Sequence, residues 1–149
     1  MRRRSIWKDE SGAELIEFAI VFPLLLLVML GIIDFGLLFQ RYEVVTNAAR
    51  EGARVATLPG YADEDVTWRV EQYLDAAGLT DSDRNVTVGA LEQVSEGGNC
   101  IWVRPVVVTY PHGFSFVGGI ASYFGGSITA GELTATAKMR PEIPAFGCP

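Results

Sequence analysis

Histidine and cysteine are nearly missing from this 149-residue chain, which has one of the first and two of the second. One histidine is too few for an imidazole-built metal site, and two cysteines cannot make a disulfide scaffold. Basic residues are in the minority, 12 against 18 acidic ones, for a net charge of −6. That excludes a globally basic nucleic-acid binder, so no nucleic acid is expected among the partners. Charge of either sign is sparse, at 20% of residues, whereas 49% are hydrophobic and the mean hydropathy is +0.23. A disordered chain has the opposite balance, and the length suits one ordinary domain.

Chemistry-bearing motifs are also lacking. Gly97-Gly98, Gly118-Gly119 and Gly125-Gly126 have neither the lysine nor the dinucleotide pattern that cradles phosphate. His112 stands alone, and Asp63, Glu64 and Asp65 lack the spacing of a calcium loop, serving more simply as helix-start residues. Asn85-Val86-Thr87 matches a glycosylation triplet but falls in a strand pattern. No enzyme activity, cofactor or metal is expected.

What the chain does have is concentrated apolarity. Phe18–Ile33 is 16 residues without a charge, and the run continues through Phe39 with Asp34 as its single interruption. About 20 mainly apolar residues cross a bilayer core as a helix. The stretch is apolar all round, with no polar stripe for a soluble surface, so it reads as a span over 13–39. Residues 1–12 carry a net +2, which favours a cytoplasmic N-terminus and places the 110 residues after Phe39 outside the cytoplasm. A secretory signal peptide shares these features, but the run exceeds the usual apolar core, and Phe39-Gln40-Arg41 offers no small-x-small cleavage site. Pro23 removes one helical hydrogen bond and is expected to bend the helix. Asp34 lies 17 residues beyond Glu17, roughly 26 Å along a helix, and is expected to be a hydrated carboxylate at the far interface, with helix pairing the lesser alternative.

Glu14 and Glu17 stand at the entrance of the span, where an ionised carboxylate needs a partner or marks a functional site. Gly12-Ala13-Glu14-Leu15-Ile16-Glu17-Phe18 is a glycine, four residues, then Glu-Phe leading into an apolar helix. This resembles the processing site of type IV prepilins. The resemblance implies a membrane-embedded prepilin peptidase cutting between Gly12 and Ala13, with Glu17 as the fifth residue of a 137-residue mature chain. Cleavage removes the basic leader and creates an amine at Ala13 that Glu17 of a neighbouring subunit can pair with, offsetting two buried charges. The plainer alternative is that both glutamates favour the positive end of the helix dipole while reaching the interface.

The helical pattern continues past the membrane. Gln40–Leu58 has no proline, and Val45, Ala48, Ala49, Gly52 and Ala56 recur near helical spacing, with Arg41, Glu51 and Arg54 elsewhere around the cylinder. Pro59-Gly60 ends it. One helix over Ala13–Leu58 has 46 residues, or about 69 Å, so its second half is a stalk or the spine of an outer domain. Asp63–Ala77 reads as an amphipathic helix capped by Asp63, with Gly78 in its C-terminal turn and Val66, Val70, Tyr73, Leu74 and Ala77 on one face, Trp68 lying off it. Strand grammar follows over Asn85–Val94, Cys100–Tyr110 and Ser127–Met139, with a turn at Glu96–Asn99. Pro105 weakens the second strand or marks a sheet edge. Pro111–Gly126, glycine-rich and aromatic, is expected to be a loop or short helix packed on the domain.

Taken together, GAELIEFAIVFPLLLLVMLGIIDFG, AAREGARVAT at Ala48–Thr57, and the later VVVTYP and ELTATAKMRPE segments resemble the TadE-like proteins of tight adherence (Tad, or Flp) pilus systems. The first two motifs are specific in combination, and Tyr61–Cys100 is the weakest stretch. The resemblance implies a pseudopilin or minor pilin of the cytoplasmic membrane, assisting pilus assembly or entering a surface pilus. Its partners would be the prepilin peptidase, other pilin or pseudopilin subunits, the Tad secretion machinery and the lipid bilayer. Site residues are then Gly12 and Ala13 for processing, Glu17 and Phe18 for assembly. The expected fold class is α+β and pilin-like: a basic leader 1–12, a span 13–39, and an extracytoplasmic domain 40–149 that includes the stalk 40–58, one further helix and a three- or four-stranded antiparallel sheet. Cys100 and Cys148, both on the proposed outer side, either pair or remain two free thiols. Pairing closes a 49-residue segment, worth about 4 kcal/mol by chain entropy. A permanently anchored single-span binding module is the alternative function.

Overall fold

The computed structural model describes residues 10–96, 99–123, 125–127 and 131–141. A first helix, α1, runs over Glu10–Ala56 without interruption, passing through Pro23. It is followed by α2 (Asp63–Ala76), strands β1 (Asn85–Val88), β2 (Glu92–Glu96) and β3 (Asn99–His112), a short helix α3 (Val117–Tyr123) and strand β4 (Gly131–Met139). The expected single apolar helix, the second helix and the antiparallel sheet are all present, in an α+β arrangement. The chain divides into two units: Met1–Gly36 with Phe114–Ile128, and Leu37–Gly113 with Thr129–Pro149.

In the second unit, β3 is the central strand. It pairs antiparallel with β1 (Val86 opposite Val108), with β2 (Val94 opposite Ile101) and with β4 (Val108 opposite Ala135). Period-two alternation buries Val106, Val108, Tyr110 and His112 of β3, with Ala135 and Ala137 of β4 on the same face. The Ala-rich half of α1 and the Val66-Val70-Leu74 stripe of α2 complete this core. Small residues let the elements approach closely: a Cβ placed on buried Gly52 would lie 2.5 Å from Val70 Cγ2 and 3.2 Å from Val106 Cγ1. Tyr73 and Ala77, expected on the buried face of α2, are exposed. Trp68 is exposed as its position off the stripe required.

Three local readings are corrected. The stretch Asn85–Val94 is two strands, because Val88 stands opposite Val106 while Glu92 stands opposite Val103. Three residues, Gly89–Leu91, therefore face two, a bulge of one extra residue. Pro105 is not at a sheet edge. Its carbonyl accepts from Gly89 N at 2.8 Å, so its nitrogen, which points the same way, meets the ladder where the bulge interrupts it and no N–H is required. Gly89 permits this contact, since a Cβ there would lie 2.6 Å from Pro105 Cγ. Finally, Asp63 does not cap α2. The N-cap is Ala62, whose N–H donates to Asp65 Oδ2 at 2.8 Å, while Asp63 pairs with Arg104. At the other end Gly78 adopts a left-handed φ of +79°, and Leu79 N donates to Leu74 O at 2.9 Å, closing the helix as expected.

Candidate processing and assembly site

Helix α1 is described from Glu10 onward, so the Gly12–Ala13 bond lies in helical backbone. Among the described residues nothing comes within 4 Å of a Cβ built on Gly12. An enzyme requiring extended backbone at this bond has to unwind the helix locally. Five residues further, or about 7.5 Å along the axis, Glu17 is exposed. Glu14, Glu17, Phe18 and Val21 line one shallow groove, as i, i+3 and i+4 neighbours do. Phe18 stacks on Phe22 with ring centroids 5.2 Å apart. Among the described residues neither Glu14 nor Glu17 makes an ion pair or a side-chain hydrogen bond.

The rest of this half of the helix is apolar and turned outward. Leu15, Ile20, Leu24, Val28 and Ile32 are all more than half exposed. Its most apolar window, with a mean hydropathy of 2.7, has no residue buried within the chain. A core helix of a soluble domain would be covered by its own fold, and this one is not. It is long and apolar enough to cross a membrane.

Asp34 departs from expectation. It is only 2% exposed, not a hydrated interfacial carboxylate. Its Oδ1 accepts from Ser115 N at 3.1 Å and Phe116 N at 3.2 Å, and its Oδ2 from Phe116 N at 3.0 Å and Val117 N at 2.7 Å. The side chain thus supplies to α3 the acceptor that an N-cap normally supplies from its own helix. A buried carboxylate is costly unless such donors surround it. The Phe35 and Phe114 rings meet edge to face at 6.0 Å beside it. A sequence signal existed in the charge itself, since a carboxylate within an apolar run must be answered. Its answer is three backbone N–H groups some 80 residues away, which no side-chain pattern announces.

The remaining candidates have plainer surroundings. Cys100 lies in β3 opposite Ser95 of β2, and Cys148 lies outside the described residues, as do residues 1–9 of the leader 1–12. His112 is buried, with Arg41 Nη1 at 3.2 Å from its Nδ1. Because a guanidinium only donates, Nδ1 is the acceptor. Glu51 accepts from Arg54 at 2.9 Å and from Arg69 at 3.0 Å. Those hydrogen bonds, Arg54's first, hold its carboxyl at about 2, against burial that acts in the opposite sense. Among the described residues no group of three or more His, Cys, Asp or Glu side chains is placed to hold a metal ion.

Comparison with curated proteins and with solved structures gives no match. Residues 12–54 match the model of the family described as TadE-like protein. The matched segment starts at Gly12, contains Glu17, Phe18 and Asp34, and ends within the Ala48–Thr57 motif. The VVVTYP and ELTATAKMRPE segments, which form β3 and β4, lie beyond it. Over Gly12–Arg54, within α1, the chain is similar to the TadE-like family.

Proposed function

We propose that this chain is a membrane-anchored pseudopilin or minor pilin that supports assembly of a Tad pilus, without catalytic activity of its own. The observation that carries the reading is Glu17: an exposed carboxylate without an ion-pair partner among the described residues, on an apolar helix that matches the TadE-like family from Gly12 onward. A prepilin peptidase cuts after Gly12, and the new amine at Ala13 of one subunit pairs with Glu17 of a neighbour as the helices pack laterally. Each charge then supplies what the other lacks in a medium where neither is solvated. Phe18 contributes apolar surface beside the pair. The N-terminus lies in the cytoplasm before cutting and the α+β unit outside, where it contacts other pilin subunits and the Tad machinery. On that side an oxidising compartment favours a bond between Cys100 and Cys148. Thiol mapping tests it: two thiols that react only after reduction support pairing, and reaction of either beforehand refutes it.

N-terminal sequencing of membrane-extracted protein tests the central claim. A chain starting at Ala13, and an uncut chain when Gly12→Leu is introduced, are expected. An intact Met1 end in cells with an active prepilin peptidase refutes processing and leaves a permanently anchored binding module.

A further inference from the structure

The apolar character of the first unit is not confined to α1. From Pro105 to Gly131 the chain has 27 residues without a single Asp, Glu, Lys or Arg. The middle of this stretch, Phe114–Tyr123, contains α3 and clusters with the apolar half of α1. The contacts fix its level along that helix. Val117, the first residue of α3, is close to Gly31, where a Cβ would lie 4.0 Å from Val117 Cγ2. Ile120 shares a cavity with Ile20, Pro23, Leu24 and Leu27. The short helix therefore runs back along α1 from the level of Gly31 towards the N-terminus, its seven residues rising about 10 Å. This is about a third of the thickness of a bilayer core.

We infer that Phe114–Tyr123 is a re-entrant segment, which enters the bilayer beside α1 and presents Phe116 and Tyr123 to lipid. This rests on the reading of α1 as a membrane span. Whatever surrounds α1 between Leu24 and Asp34 also surrounds a helix lying against it at that level. The outward side chains offer aromatic ring surface to lipid: Phe116 is 43% exposed and Tyr123 87% exposed. Irregular backbone is tolerated at membrane depth only where protein satisfies its polar groups. At the turn into α3 the satisfying group is Asp34, which takes the N–H groups of Ser115, Phe116 and Val117. The same bonds explain how an acidic side chain resides in an apolar run, because carboxylate and orphan N–H groups remove each other's cost. Asp34 is thus a positioning residue for the re-entrant segment.

The test uses the full-length chain in phosphatidylethanolamine/phosphatidylglycerol vesicles containing a lipid with a photoactivatable diazirine on its acyl chain, with adducts mapped by peptide mass spectrometry. Adducts on residues 18–33 report the span. Adducts on Phe116 and Tyr123 report the re-entrant segment, and exposed Tyr61 and Trp68 of the other unit set the background. Labelling of Phe116 and Tyr123 well above that background supports the inference. Labelling confined to residues 18–33 overturns it while leaving α1 as a span, and absence of labelling there overturns both. In Asp34→Asn, which halves the acceptor oxygens, Phe116 and Tyr123 are expected to fall to background while residues 18–33 keep their adducts. Unchanged labelling of all sites refutes the positioning role of Asp34.

Discussion

Replacing Gly52 by alanine should destabilise the α+β unit, although alanine is the better helix former. On an open helix surface the exchange gains about 1 kcal/mol. Here the new methyl carbon would lie 2.5 Å from Val70 Cγ2 and 3.2 Å from Val106 Cγ1, whereas carbon atoms are comfortable at about 3.5–4.0 Å. Roughly 1 Å of separation has to be opened against Val70. That side chain is fully buried and stiff at χ1, so relief comes from moving α2 away from α1, with Val106 of the sheet closing the third side. Overpacking of this kind costs about 1–3 kcal/mol. The net expectation is a loss of about 1 kcal/mol for Gly52→Ala, and a larger one for Gly52→Val. Urea unfolding of the detergent-solubilised chain, followed by near-ultraviolet circular dichroism, measures it. Val70→Ala removes the methyl group that clashes, so the double variant should be less destabilised than the sum of the singles, by at least about 0.5 kcal/mol. A Gly52→Ala chain as stable as the parent, or strict additivity with Val70→Ala, refutes the close packing of α1 on α2.

Two further outcomes are expected of the same unit. Glu51 is held at about 2 in the folded chain by Arg54 and then Arg69, so its contribution is fully present above its ordinary value of 4.5 and is lost as pH falls from there towards 2. The stability difference between the parent and Glu51→Gln should therefore shrink over that window, and a difference unchanged from pH 6 to pH 2 refutes the linkage. Arg104 donates to Ala56 O at 3.2 Å and Gly89 O at 3.3 Å while pairing with Asp63, tying the end of α1 to the bulge and the start of α2. Arg104→Ala should cost about 1–3 kcal/mol and Asp63→Asn less than about 1 kcal/mol, since that carboxylate is mostly exposed; equal losses in thermal unfolding contradict this ranking.

The elements with a strong period were legible from the residues. Alanine spacing marked the buried face of α1, and Val66, Val70 and Leu74 marked that of α2. The breaks were not. Nothing in Asn85–Val94 announces that Gly89–Leu91 will oppose only Arg104 and Pro105, because a bulge is a property of two strands and a sequence shows one at a time. The same holds for the cap of α2. Asp63, Glu64 and Asp65 are chemically alike as first-turn acids, and what separates them is Arg104, 41 residues away. Proline misled for a related reason: its missing N–H is excluded from a regular ladder, but the bulge leaves a position on the central strand where no donor is needed.

The same limit distinguishes two carboxylates of the apolar half of α1, Glu17 and Asp34, and gives them different meanings. Both Glu17 and Asp34 are expensive in a hydrocarbon environment, and both demand a partner on equal physical grounds. Asp34 finds its donors within the fold: three N–H groups reach it, and it is buried. Glu17 is exposed, on a groove lined by Glu14, Phe18 and Val21, and among the described residues it has no ion pair. A carboxylate satisfied by its own chain serves architecture, because its energy is already committed to folding. One left open at a helix entrance has its interaction energy still available for a second molecule, and the partner it selects must carry a positive charge at the same depth. The amine that the proposed cleavage would create at Ala13 of a neighbouring helix meets both requirements, so the proposed processing at Gly12 and the proposed role of Glu17 stand or fall together.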